Sequence, residues 1–329
     1  MRLSRKSDKP RFEQQVLDIY NLVKSGSPTK WQSGELFQDW IGNHWHISTF
    51  PSIPSSVADI SVPLNGDGFR AGGTEWFGFA LGLKLALGKK NSVMIELGAS
   101  QAPWCLSWLR AFEKLNPEST TTALGVEAGL LPNQLVKFWT DQNLNGHVLE
   151  NPTKLEGVDA TLIYENSSQK QKFIMLNKAV TYKNLENVYF PVIDITKDNG
   201  ARISKKALVR DYRGFSIENR SVPAVTFSKV IGLYNKIDFL HMDLQGEELK
   251  IVRYLFWNQL SKKCSVMLIG THSNRSHYLW QILLKLRGYL LYESESPVIR
   301  NRILVQDGEI LAIAKRDVKT ILAESKLTT

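Results

Sequence analysis

An apolar run near residue 240 ends in a cluster of groups able to hold or move a proton. In IDFLHMDLQGEELKIV, residues 237–252, Ile237, Phe239, Leu240 and Met242 lead into Asp243, followed by Gln245 and Gly246. His241, Asp243 and Gln245 alternate, and a period of two puts all three on one face of a strand end. A carboxylate and an imidazole so placed can orient a hydroxyl or accept its proton. A second histidine, His272 in LIGTHS, ends the next apolar run, with Thr271 beside it. Consecutive strands commonly neighbour one another, so the two histidines, Asp243, Gln245 and Thr271 are expected at one sheet edge. His272 or His241 is the expected base, Asp243 orients acceptor or cofactor, and Gln245 and Thr271 line the acceptor. A metal held by Asp243 and His272 is the weaker reading, because no CxxC, HxxxH or carboxylate cluster accompanies them.

Two further acids stand where strands should end. Glu96 precedes the turn GASQA and Glu127 follows LGV, 31 positions later. Gly98 allows a tight turn and a close ligand approach to the backbone. A dinucleotide fingerprint requires G-x-G-x-x-G, and this turn has Gly98 alone. No lysine or arginine lies from Leu97 through Leu109, so a P-loop grip on phosphate is missing as well. An acid beside a neutral loop suits a cationic, phosphate-free cofactor, and S-adenosylmethionine (SAM) fits that description. Glu127, at the second strand's tip, is placed to accept hydrogen bonds from ribose hydroxyls.

The elements that position these residues read as strand, turn, helix, repeated. Val93 to Leu97 is a buried strand, and Pro103 opens a helix with Trp104, Trp108, Phe112 and Leu115 on one face. Leu124 to Glu127 is the next strand, and Pro132 opens a helix containing Leu135, Phe138 and Trp139. Residues 158–164 and 172–180 read as strands, while 181–222 read as polar and basic loops. After the 237–252 unit come a strand from Ser265 to Ile269, a helix through Leu279, Ile282, Leu283 and Leu286, and strands near 289–293 and 309–314. That alternation predicts an α/β fold with a doubly wound, Rossmann-like, mostly parallel sheet. An amphipathic helix over 13–24, a Pro/Gly/aromatic-rich cover over 25–73 and a helix from Thr74, as cap, to Leu87 precede it. The domain boundaries expected are 1–73 for this extension, 74–316 for the main domain and 317–329 for a flexible tail.

Global properties narrow the class. With 329 residues and 43% hydrophobic content the chain can bury a substantial core. Cys105 and Cys264 both lie in apolar segments and read as buried free thiols. The basic start MRLSRKSDKPRF lacks an apolar segment behind it, and the apolar stretch Trp76–Leu87 is too short to span a bilayer, so a cytoplasmic protein is expected. The net charge of +9 comes from scattered pairs such as Lys89–Lys90 and Lys205–Lys206, which argues against a nucleic-acid partner.

The segments ELGASQAPW (96–104), GVEA (125–128), KAV (178–180), VPAVTF (222–227), DFLHMDLQGEE (238–248) and IGTHS (269–273) together resemble the FkbM family of SAM-dependent methyltransferases. They stand in that family's order across about residues 75–295. The resemblance implies the class I methyltransferase fold and a cofactor site lined by Glu96, Gly98, Ala99 and Ala128. It also implies that Glu127 holds the ribose, that Asp243 lies beside the reacting methyl, and that Glu75 in GTEW is near the cofactor. The chain departs from the subgroup in two places: Ser100, Gln101 and Ala102 stand in a loop usually richer in glycine, and no acid follows GTHS in SNRSHY. The expected activity is O-methylation of a hydroxyl on a sugar, glycan precursor or other small metabolite, by a chain that could form homo-oligomers. A non-catalytic SAM-fold binding protein, a nucleic-acid methyltransferase and a nicotinamide dehydrogenase are the rivals.

Overall fold

The computed structural model describes residues 9–23, 36–38, 41, 43–46, 73–129, 136–137, 140–144, 146–149, 154–155, 158–192, 201–210, 217–252, 260–300 and 303–323. The expected helix side chains Leu135, Phe138 and Trp139 and most of the 25–73 cover lie outside them.

Nine strands form the central sheet: β1 (Asn91–Leu97), β2 (Thr120–Val126), β3 (Gly146–Leu149), β4 (Leu162–Asn166), β5 (Gln171–Leu176), β6 (Ile237–Met242), β7 (Cys264–Thr271), β8 (Tyr289–Glu295) and β9 (Gly308–Ala314). Their spatial order is β8-β9-β7-β6-β1-β2-β5-β4-β3. The five central strands from β7 to β5 are mutually parallel, whereas β9 runs antiparallel to both β7 and β8, and β4 to both β5 and β3. This is the mostly parallel, doubly wound sheet that the strand–helix alternation predicts. The chain leaves β1 toward β2 and later returns to β6 on the other side of β1. The carboxyl ends of β1 and β6 therefore flank the topological switch point, where open α/β sheets hold their ligands.

Burial on both faces explains why the central strands read as continuous apolar runs. All six residues of β6 are buried. One face packs Phe239, Met94 and Val266 against the helices α1 (Lys9–Val23), α2 (Gly73–Leu87) and α3 (Pro103–Leu115). The opposite face packs Leu240, Met242 and Ile269 with Trp280 and Leu284 of α4 (Asn274–Leu286). Phe12, Val16, Ile19 and Val23 of α1 belong to the same core as α2. At the other end, Val318–Leu322 is helical with Ile321 buried. The helix expected to begin at Thr74 starts at Gly73.

Residues 181–222, expected as loops, contain strands. Ala179–Thr181, Asn187–Pro191 and Asn219–Thr226 form a separate three-stranded sheet, with the last in the middle. Its core is small (Ala128, Ala179, Val188, Phe190 and Val222), which is why no strong apolar period marks it in the sequence.

Cys105 and Cys264 are free and fully buried, as their apolar surroundings predict. Burial raises both thiol pKa values, that of Cys105 further through Glu96. Neither cysteine should react with a thiol reagent at pH 8 in the native protein, and both should react once urea unfolds it. Stoichiometric labelling without denaturant would contradict this packing. Among the described residues no helix is long and apolar enough to cross a membrane.

Candidate active site

The loop after β1 is built on left-handed backbone at alternate positions: Gly98 (φ 77°), Ser100 (φ 47°) and Ala102 (φ 57°). Glycine at the first is obligatory, because a Cβ there would lie 1.8 Å from the backbone oxygen of Asp243. Gly98 thus serves contact with the β6 end in addition to the turn. Ser100 and Ala102 occupy the positions where added glycine would relieve strain of about 1 kcal/mol each. The altered loop therefore keeps a glycine-type conformation at some cost. Ser100→Gly should leave the fold intact and raise stability by up to about 1 kcal/mol in urea unfolding, reduced by the freer unfolded chain.

Two carboxylates hold this loop. Glu96 is buried at the end of β1 and accepts the Cys105 N–H at 2.9 Å, inside the first turn of α3. Ala102, the residue preceding that helix, has no side-chain acceptor, so Glu96 satisfies one of the orphan donors and sits in the positive end of the helix dipole. Half-buried Glu127, just past β2, accepts Ser100 N–H at 2.9 Å and Gly129 N–H at 2.6 Å. Burial raises its pKa, and these backbone donors pull it back. The turn after Glu127 is clamped in turn: Asn177 donates to the carbonyls of Glu127, Ala128 and Gly129, and Arg220 to that of Ala128.

On the other side of β1, the Asp243 N–H donates to the Leu97 carbonyl at 2.8 Å and ties the β6 end to the β1 end. β6 and β7 are parallel neighbours, so the edge expected from sequence exists, and His272 Nε2 lies 3.1 Å from Asp243 Oδ1. Two residues not singled out from the sequence join it. Glu248 Oε1 lies 3.3 Å from His272 Nδ1, and Asp307 Oδ1 lies 3.5 Å from His272 Nε2. His241 is flanked more loosely by Glu75 Oε1 at 3.7 Å and Glu96 Oε1 at 3.8 Å, with Trp104 edge-on to its ring.

These neighbours bear on which group can act as a base. Burial alone lowers the pKa of His241, but Glu75 and Glu96 outweigh it and lift it to about 10. Burial likewise lowers that of His272, and Asp243 and Glu248 lift it to about 10. Both rings are then imidazolium at neutral pH, with no lone pair to accept a hydroxyl proton. Asp243 is held below the usual carboxylate range: burial raises it, and His272 and His241 more than reverse that.

The remaining candidates divide. Strand alternation stops at Met242, so Gln245 is in a left-handed turn (φ 52°) and not on a common strand face with His241. Its amide donates to Asp243 Oδ1 at 3.2 Å, and its carbonyl accepts from Arg202. Thr271 is fully buried and its hydroxyl pairs with His277 Nδ1 at 2.9 Å, which removes it from any acceptor surface. Ala99 and Ala128 are buried within the loops that follow β1 and β2, while Glu75 stays half-exposed. Ser273, after His272, caps α4 by accepting the Ser276 N–H at 3.2 Å.

No protein-family model matches the chain, and no curated protein matches it. Among solved structures it is similar to the precorrin-6y C5,15-methyltransferase of Geobacter metallireducens GS-15, with 9% identity and a TM-score of 0.33 over 71% of this chain and 86% of that one. It is similar also to fibrillarin of Aeropyrum pernix, solved with natively bound S-adenosyl-L-methionine, with 10% identity and a TM-score of 0.32 over 88% of this chain and 87% of that one. A third likeness is to Trm1 from Pyrococcus horikoshii in complex with S-adenosyl-L-methionine, at 6% identity and a TM-score of 0.32, covering 74% of this chain and 56% of that one.

Proposed function

We propose that this chain is a SAM-dependent methyltransferase acting on a hydroxyl of a sugar, glycan precursor or other small metabolite, in line with the FkbM-like motifs. The observation that supports it most is the set of acids at the switch point: Glu96, Glu127 and Asp243 at or just past the ends of β1, β2 and β6, around a loop without lysine or arginine. These residues fit the cofactor chemically. An acid at the β2 tip suits a ribose diol, and a carboxylate-rich, phosphate-hostile crevice suits a cation.

SAM bound there supplies a methyl group on a positively charged sulfur. Glu127 would accept a hydrogen bond from a ribose hydroxyl while keeping its hold on the loop through Ser100 N–H. Glu96 fixes the loop from below through α3. Asp243, over a third exposed, would accept the hydrogen bond of the acceptor hydroxyl and take its proton as the C–O bond forms and the methyl's bond to sulfur breaks, the sulfur leaving as a neutral thioether. Holding the oxygen in line is the larger contribution, since methyl transfer needs little beyond alignment and a place for the proton.

The test is transfer of labelled methyl from SAM to a panel of sugars and hydroxylated metabolites. Incorporation is expected in the wild type and should be lost in Glu127→Ala. Quenching of NADH fluorescence by the protein, without SAM-dependent labelling, would favour the dehydrogenase instead.

A further inference from the structure

We propose that His272, Asp243 and Asp307 form a binding site for a divalent transition cation, with Glu248 orienting the imidazole. The inference stands apart from the cofactor reading and rests on the geometry at the ends of β6 and β7 and the turn before β9.

His272 Nε2 faces Asp243 Oδ1 at 3.1 Å and Asp307 Oδ1 at 3.5 Å. Ligand atoms about 2.1 Å from a cation, at tetrahedral or octahedral angles, lie about 3.0–3.4 Å apart, so the Asp243 separation matches an edge of a coordination shell and that of Asp307, on its partly exposed turn, is slightly longer. Ligand atoms of Asp243, Glu248 and His272 also fall within 4.8 Å of one another. Glu248 nevertheless has a different part, because it approaches the ring from the opposite side, at Nδ1. Its two oxygens are already fixed by Leu244 N–H at 2.6 Å and Gly246 N–H at 2.8 Å. A carboxylate holding one ring nitrogen while the other faces a cation is the usual support of a metal-bound histidine.

A second observation points the same way. The His272 side chain is 1% exposed, yet neither ring nitrogen has an aligned hydrogen-bond partner. The contacts to its carboxylates are those of charges in proximity, not of N–H groups aimed at acceptors. Buried ring nitrogens are normally satisfied. Three carboxylates about a single imidazole hold more negative charge than one ring proton offsets, and a cation bound at Nε2 takes the place of that proton. Asp243 and Asp307 are 36% and 48% exposed, so a cation has an entry path and coordination positions open to solvent or to an acceptor oxygen. One imidazole with two carboxylates suits manganese, iron(II) or zinc better than calcium or magnesium.

The test is titration of the EDTA-treated full chain with Mn2+, following the electron paramagnetic resonance signal of the free ion. Saturable binding to a single site is expected. His272→Gln and Asp307→Asn should each weaken it by at least the about 10- to 100-fold that loss of an orienting partner costs. Asp307 lies on a partly exposed turn, so its variant keeps the test decisive should His272→Gln fail to fold. Glu248→Gln should weaken binding and Glu248→Asp restore part of it; equal affinity in both and in wild type would overturn the orienting role. Absence of saturable binding up to about 1 mM, or undiminished affinity in Asp307→Asn, would overturn the site. SAM titration of the same metal-free protein reads the cofactor proposal separately.

Discussion

Gly98→Ala should destabilise the protein by about 3 kcal/mol or more and abolish ligand binding at the switch point. Two effects combine. The backbone at Gly98 is left-handed, which costs a residue with a Cβ about 1–2 kcal/mol. The added carbon would also lie 1.8 Å from the Asp243 carbonyl oxygen, a contact with backbone that no side-chain rotation relieves. The β1 loop and the β6 end must then part, breaking the Asp243 N–H to Leu97 bond that joins them. Urea unfolding measures the first effect, with Ser100→Gly as the control for a change in the same loop that relaxes the chain. A Gly98→Ala protein as stable as wild type would show that the two strand ends do not pack as described.

Asp243→Ala should reduce methyl transfer by about 10²- to 10⁴-fold, the range typical for loss of a general base, while the protein stays folded. Asp243 follows β6 with its side chain open to the crevice, so truncation leaves no cavity in the core. It does remove a counter-charge of His272, whose remaining partners Glu248 and Asp307 then hold the ring. Activity is therefore expected to fall far more than stability. The comparison is between kcat/KM, on whichever hydroxyl acceptor the labelling panel identifies, and the urea midpoint. Full activity in Asp243→Ala would end its assignment.

The sheet was legible because β1, β2, β6 and β7 are buried on both faces and appear as short apolar runs closed by polar turns. The adjacency of Asp243 and His272 followed from consecutive strands pairing. Other parts of the site had no local signal. Glu248 looks like an ordinary acid in the first turn of a helix, and only packing reveals its burial: Trp280 donates to its carbonyl and His272 faces its carboxylate. Asp307 reaches the edge because β9 is antiparallel, so its beginning lies where the parallel strands end. That depends on strand order, which the residue pattern leaves open. The acids flanking the histidines were hidden for the same reason, since they come from separate elements. The sheet around Asn219–Thr226 was hidden by polar residues and by Pro223 within its middle strand.

Isothermal titration of the purified chain with SAM, and with its demethylated product, tests the central claim most directly. The account predicts saturable binding of both at micromolar concentrations, weakened in Glu127→Ala. Absence of heat from either ligand at high micromolar concentration, in a protein whose unfolding remains cooperative, would contradict the enzyme reading.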